Sequence, residues 1–560
     1  AADSSSDPSG KSQPVTEGST FDDGTLTYTI LKNMQVSVTG CITTATNISI
    51  MPKIDGYTVV SIGDQAFAGC SALQSVTMPN GITEIGDGAF QSCTSLQSVT
   101  LSNSITEIPD GAFLSCSALT DIQLGDQITK IGRMAFAYCT SLTDMEIPDS
   151  VTEFGEQTFM GCSSLESITL PETLETLSAY MFQNCSALES FSIPDTMTDL
   201  GYLAFVGCRN LKTIDISANH PTYQLQDDVL YSKDGTELFL YPAGKTGTSF
   251  TVPDGVKTIS DGAFFAAPLQ SVTLPEGLEW IGSGAFDYCT SLTNITIPET
   301  CTTLGDFVFD GCSALKEIQV ADSNPNYQDI DGVLFSKDGS TLIKYPDDSD
   351  LVDYVVPDGC TRLEDWSFTG AKSLKSIDIQ NIQELGEDVF FYCQSLTDIT
   401  IPDSITEIPN NTFTYCTELT SITLPKQLTS IGDFAFYTCV RLENITIPDT
   451  VTKIGKQAFY NCLELHELTL PSGIKELGDG AFGLYAESDD TSPSVVKDFS
   501  VTYGKNSKIK KYVSQYKIPA TETAGSNSWV VPVCIGGGVV VVAAIVVILV
   551  VRKKRKGGAA

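Results

Sequence analysis

The chain has 560 residues, with 69 acidic side chains against 32 basic ones and a formal net charge of −37. A field of that sign repels nucleic acid and anionic headgroups, so nucleic acid is excluded as a partner. With only two histidines, His220 and His466, a Ser-His or Cys-His nucleophile would have to be built around one of them, and the chain has no Gly-x-Ser-x-Gly, phosphate loop or dinucleotide fingerprint.

In chain order, residues 1–19 are rich in Ser, Pro, Gly and Thr and are expected to be disordered. The opening Ala1-Ala2-Asp3 fits a mature chain from which a signal peptide has been removed. Residues 20–66 alternate apolar and polar side chains (Leu26, Tyr28, Ile30; Val36, Val38), the pattern of a β cap. A ruler then begins. Phe67, Phe90, Phe113, Phe136, Phe159, Phe182 and Phe205 are spaced 23 apart, and the series resumes at Phe264, Phe286 and Phe309 and again from Phe368 to Phe482. A fixed period of this size is the mark of a solenoid, in which no single turn can bury its apolar face alone. The solenoid is assigned to 67–482.

One coil illustrates the rest. Val76 and Met78 alternate with Ser75 and Thr77, a short strand with one face buried. Pro79-Asn80-Gly81 ends it, and Ile82–Ile85 is a second extended segment. Gly86 turns the chain, and Asp87 stands where it can N-cap a single helical turn, Gly88–Ser92. Between Phe205 and Phe264, and again between Phe309 and Phe368, the spacing widens to 59 residues. The two insertions, near 219–254 and 323–358, align at an offset of 104 residues and share Ser-Lys-Asp-Gly and Tyr-Pro. Asp-Gly between alternating apolar runs predicts a β-hairpin, read here as standing off the solenoid edge.

Residues 483–518 are expected to cap the C-terminal end, with a short Lys-rich helix near 505–516, and 519–528 to form a linker. Trp529 to Val551 carries no charge and is long enough to cross a bilayer; Arg552 to Lys556 then hold the 552–560 tail in the cytoplasm. This predicts a single-pass membrane protein with its N-terminal region outside the cell. Ile518-Pro519-Ala520-Thr521-Glu522 is similar to a sortase signal whose last residue, Gly, is replaced by Glu522.

The Leu-x-x-Ile-x-Leu runs Leu165–Leu170 and Leu419–Leu424, and the segments Leu188–Cys208 and Leu292–Cys312, carry a wider likeness. The chain resembles the BspA-like class of leucine-rich-repeat surface proteins, over roughly residues 20 to 518. The resemblance implies attachment to host or extracellular-matrix proteins and to other cells. The fold expected is a leucine-rich-repeat β-solenoid of short parallel strands with single-turn helices, two β-hairpin insertions and one C-terminal transmembrane helix.

Thirteen of the 17 cysteines fall three residues after a ladder Phe. Ala267 and Ala371 replace them in two coils, so they read as buried thiols filling an Ala-sized core site. No Cys-x₂-Cys and no calcium loop is present. Catalytic, cofactor-binding and metal residues are therefore assigned to none, and the chain reads as a monomeric non-enzyme. What remains is an extended strand face with a Ser/Thr row (Thr77, Thr100, Thr169, Thr273, Thr296). A specific partner needs chemistry that does not repeat. The breaks in the row, Asp121, Gln123, Asp144, Glu146, Asp215, Glu317, Gln319 and Asp378, are the candidates for contact with an extracellular or host-surface protein. The alternative is a structural spacer without a specific ligand.

Overall fold

The computed structural model describes residues 17–486 and 492–523. The apolar span Trp529–Val551 and the basic tail after it lie outside the described residues, as does most of the 1–19 segment. Among the described residues, no helix is long and apolar enough to cross a membrane.

A typical coil lays three runs of backbone against its neighbours. The first is the strand read from alternation: Ser75–Thr77 pairs in parallel with Asn47–Ser49 on one side and Ser98–Thr100 on the other. The second is the short strand that follows, Glu107–Ile108 pairing with Lys130–Ile131 and that with Glu153–Phe154. The third run, around Ala-Phe, differs from the expected helical turn. Asp87 to Ser92 form a series of turns, with left-handed residues on both sides of Ala89-Phe90 (Gly88 φ +59°, Ser92 φ +60°). The alternation aims every second amide at the next coil. Gly88 N donates to Asp110 O, Phe90 N to Ala112 O and Ser92 N to Leu114 O, at 2.7–2.8 Å. A helix would have spent those donors on its own carbonyls.

The residue expected to N-cap that helix serves the same ladder. Asp64 Oδ1 accepts from Asp87 N, Asp110 Oδ1 from Arg133 N and Asp433 Oδ1 from Lys456 N, each 23 residues on. Glycine precedes this position because the coils touch there: a Cβ on Gly155 would lie 2.1 Å from the Arg133 nitrogen.

Inside, the phenylalanines stack. From Phe67 to Phe182, successive ring centroids lie 4.8–5.8 Å apart with interplanar angles of 5–10°. The ladder cysteines are buried and free of disulfides. They do more than fill space. Cys93 Sγ donates to Phe67 O at 3.0 Å, Cys116 to Phe90 O at 3.1 Å and Cys439 to Phe413 O at 3.1 Å. Burial pushes the Cys93 and Cys162 thiols up to about 12, so they stay protonated donors.

The two insertions do not stand off the solenoid edge. The Asp-Gly turn does join antiparallel strands, Val229–Ser232 and Glu237–Leu240, but a third strand, Tyr223–Gln226, precedes them. Glu237–Leu240 then pairs in parallel with Thr258–Ile259 of the next coil. The second insertion repeats this with Tyr327–Ile330, Val333–Ser336 and Thr341–Lys344. Each meander is stitched into the second ladder because its apolar residues have nowhere else to go: Val229, Leu230 and Tyr231, like Val333, Leu334 and Phe335, are buried. The ruler also survives the insertion. Tyr241 lies 23 residues before Phe264, stacks on it at 5.3 Å and donates its amide to Ala263 O. Tyr345 does the same for Phe368 at 4.9 Å.

At the N-terminal end, the strands Leu26–Ile30, Gln35–Cys41 and Tyr57–Ile62 form a sheet that hands on to Glu84–Ile85. At the other end the helix Ser507–Tyr516 starts at Asn506, whose side chain accepts from Lys508 N and Ile509 N. Its Tyr512 hydroxyl meets both Phe482 N and Phe482 O at 3.0 Å, replacing the coil that is no longer there. The chain does not become a linker at residue 519. Ala520–Thr523 is a strand parallel to Ser500–Gly504, and the sortase-like stretch runs into it.

Phe159 has ladder rings on both sides, Phe136 at 5.7 Å and Phe182 at 5.8 Å, whereas Phe67 has only Phe90. Phe159→Ala should cost about 3–5 kcal/mol and Phe67→Ala less, read from denaturant midpoints. Thiol labelling of the native chain should modify the half-exposed Cys41 and reach the ladder cysteines only after denaturation.

Candidate functional site

The strand face is where the sequence places its contacts. Seven of the eight candidates are exposed there, and the eighth, Asp378, is half-buried, its Oδ1 accepting from Gln380 N at 3.1 Å. Asp378 therefore closes its own strand. Asp121 and Gln123 stand one coil before Asp144 and Glu146, so these four form one patch. Asp121–Ile122 pairs only backwards, with Ser98 and Val99, and Asp144–Glu146 only forwards, with Ser167–Thr169. Among the described residues, no strand pairing joins the two. Like charges directly opposite weaken a ladder, and here they coincide with its interruption.

The other candidates lie apart. Asp215 is three coils beyond Glu146, in register with Ser192. Glu317 and Gln319 sit on Glu317–Val320, where Gln319 Nε2 donates to Glu317 Oε1 and its Oε1 accepts from Thr296 Oγ1, both at 3.2 Å. The second insertion closes over the edge of that strand: Ile318 N donates to Gly332 O, and Val320 N to Asp329 Oδ1, both at 2.8 Å. Asp378 belongs to the next sheet, paired with Val355.

A second surface escaped the sequence reading. The left-handed positions that flank Ala-Phe point outward at the turn edge. Glycine takes several of them (Gly69, Gly161, Gly262, Gly311), yet Tyr138, Tyr288, Phe307, Trp366, Tyr392 and Tyr415 adopt the same φ of +56° to +62°. Bulky residues in this region carry strain, which is retained where it has a use. Tyr392 and Tyr415 stack at 4.6 Å, and Phe307 meets Trp366 edge-on at 5.5 Å. The available signal was aromatic side chains two residues before or after a ladder Phe, where other coils have Gly.

A charged cluster lies beneath the second insertion. Lys344 Nζ is 3.0 Å from Asp310 Oδ1 and 3.3 Å from Asp347 Oδ1, with its side chain 6% exposed. Burial disfavours its charge, but Asp310 and Asp347 outweigh that and hold the ammonium protonated. Asp287 adds a third carboxylate, pushed up to about 7 first by burial and then by Asp310. Neither histidine is near such a cluster. His220 is buried, its Nε2 3.0 Å from Pro194 O and its Nδ1 accepting from Thr222 N and Tyr223 N, which makes it a loop clamp. Among the described residues, no group of three His, Cys, Asp or Glu could hold a metal ion.

The period, the ladder and the two capped ends define a leucine-rich-repeat solenoid. A family model described as BspA type leucine rich repeat region matches residues 46–163, 129–233, 239–353, 347–462 and 407–515. The chain belongs to the BspA-type leucine-rich-repeat family. Among solved structures it is similar to a leucine rich cell surface protein from Faecalibacterium prausnitzii A2-165, at 26% identity over 85% of this chain and 96% of that one, with a TM-score of 0.38. It is also similar to a leucine-rich repeat protein from Eubacterium ventriosum ATCC 27560 (24%, 77% and 90%, TM-score 0.38) and to the pneumococcal vaccine antigen PcpA (16%, 91% and 100%, TM-score 0.36). Among curated proteins none matches it.

The Asp287 carboxyl makes stability depend on pH. Its folded value of about 7 lies above the ordinary 3.8, so between these values the folded chain binds a proton that the unfolded chain has lost. Its contribution to stability therefore falls as pH rises from 4 to 7, and the full cost is present above 7. Asp287→Asn should lose less stability between pH 5 and pH 8 than the parent, measured as the shift in urea midpoint.

Proposed function

We propose that this protein is a cell-surface, adhesin-like protein that binds extracellular or host proteins through its strand face. The observation that carries the reading is the Asp121, Gln123, Asp144 and Glu146 patch. Four exposed, non-repeating polar side chains lie on two successive coils, where the strand ladder is interrupted. In the adjoining coils the same positions hold Ser75 and Thr77, Ser98 and Thr100, and Ser167 and Thr169, so the patch stands out against its neighbours. Membership of the BspA-type family supports a role at the surface. The uncharged Trp529–Val551 span followed by five cations supports anchoring by one membrane crossing, with the solenoid outside.

The test is binding of the full chain to a panel of extracellular-matrix proteins. Asp144→Lys with Glu146→Lys should change affinity at least about threefold and alter its salt dependence. The same reversals at Asp403 and Asp449, exposed acids that recur after the strand proline, should leave both unchanged. Equal behaviour of the two variants would refute the patch, and no binding across the panel would favour a spacer. Protease shaving of intact cells should remove the solenoid; a protected solenoid would refute the topology.

A further inference from the structure

The two units related by an offset of 104 residues share one backbone plan, so their differences isolate what each has gained. The first unit has a cavity of about 330 Å³ between the coil edge Thr198 to Val206, the insertion strand Glu237–Leu240 and the next coil at Ser260 to Gly262. Its apolar lining includes Leu200, Leu203, Phe239 and Leu240. Tyr202, 47% exposed, and Trp280 wall it. Asp199, Glu237 and Asp261 bring three carboxylates to it.

Neutral donors hold those carboxylates in place. Gly201 N donates to Asp199 Oδ1 at 2.9 Å, Ser260 Oγ to Glu237 Oε1 at 2.7 Å and Ser283 N to Asp261 Oδ1 at 2.6 Å. Among the described residues, none of the three is in an ion pair. The walls register the resulting field. The Tyr223 hydroxyl is pushed up to about 12 by burial and then by Asp199 and Glu237, and Tyr202 is raised by burial, Tyr180 and Asp261.

The second unit carries larger side chains at the equivalent positions. Trp366 stands at the Gly262 position and Phe307 at the Leu203 position, and their rings meet edge-on at 5.5 Å. Arg362 stands where the first unit has Thr258. It bridges Glu364 at 2.8 Å and Glu384 at 2.7 Å, the positions of Ser260 and Trp280. The first unit thus lacks both the indole plug and the internal guanidinium, and keeps an aromatic wall with unpaired acids.

We propose that this cavity binds a cationic side chain, arginine above all, presented by a partner polypeptide. The apolar lining suits the alkyl stem, the flat faces of Trp280 and Tyr202 suit the guanidinium plane, and Glu237, Asp261 and Asp199 supply the counter-charge. A neutral saccharide would also stack on the rings but would leave three carboxylates uncompensated. The site lies away from the strand-face patch and does not depend on it.

The probe is the peptide acetyl-Gly-Arg-Gly-amide, titrated into the full chain by calorimetry and ligand-observed NMR. Its citrulline counterpart, which has the same shape without the charge, should bind at least roughly tenfold more weakly. Glu237→Gln with Asp261→Asn should weaken arginine binding by a similar factor, and added salt should weaken it further. Leu203→Phe with Gly262→Trp, which copies the second unit, should abolish it. Asp144→Lys with Glu146→Lys should leave it unchanged, separating this site from the strand face. Absence of arginine-peptide binding at millimolar concentration, equal binding of the citrulline peptide, tighter binding of cellobiose, or undiminished binding by the plugged variant would each overturn the proposal. The citrulline comparison uses the parent chain and stands even if a variant fails to fold.

Discussion

Within an uninterrupted run of coils, the amide of a ladder phenylalanine belongs to the coil that follows it. Phe67 N donates to Ala89 O, Phe90 N to Ala112 O and Phe113 N to Ala135 O, each at 2.8 Å. Nearly every other feature of the solenoid follows from this commitment. It requires left-handed residues two positions either side of the ring, so that three alternate amides point the same way. It fixes the rings one coil apart, which is stacking distance, and leaves the Phe carbonyl to accept the thiol of the next coil. It also makes both ends of the array costly, since the last coil has no successor. Tyr512 resolves that by bringing a hydroxyl to the stranded peptide of Phe482.

A scaffold fixed in this way leaves little room for variation. Positions inside the coil and on the ladders are constrained by the neighbours before and after them. Change is tolerated on the strand face, at the left-handed edge positions and around the insertions, and those three places hold the chemistry that does not repeat. The strong negative charge of the chain reinforces this. A field of that sign attracts basic groups along the whole solenoid.

The duplicated insertions show how the same architecture diverges. Both meanders use one residue as a clamp at their entry: His220 in the first, and in the second Asn324, whose Nδ2 donates to Pro298 O and whose Oδ1 accepts from Asn326 N and Tyr327 N. An imidazole and a carboxamide can each present a donor and an acceptor at that spacing, so the exchange costs the loop nothing in hydrogen bonds. Beneath the meanders the two differ. Val206 and Leu240 in the first correspond to Asp310 and Lys344 in the second, an apolar pair set against a buried ion pair. Either solution satisfies the site, since a buried charge is tolerable when it is paired.

The sequence by itself determined the period, the strand positions, the identity of the core residues and the family likeness, because a 23-residue repeat projects every structural constraint onto the same column of residues. It also singled out Asp121, Gln123, Asp144 and Glu146 as departures from that column. It misread the Ala-Phe segment as helical, since Asp-Gly-x-Phe is locally compatible with a capped helical turn and only the next coil supplies the competing acceptors. It treated the insertions as detached because Tyr241 and Tyr345 differ in letter from phenylalanine, although each keeps the 23-residue step. Tertiary structure alone decided that the strand ladder is interrupted between Asp121 and Asp144, that Asp378 is spent on its own turn, and that Tyr202, Trp280, Glu237 and Asp261 line one cavity. Those residues lie on different coils and on an insertion. Their proximity depends on how the meander docks, which no local pattern in the chain encodes.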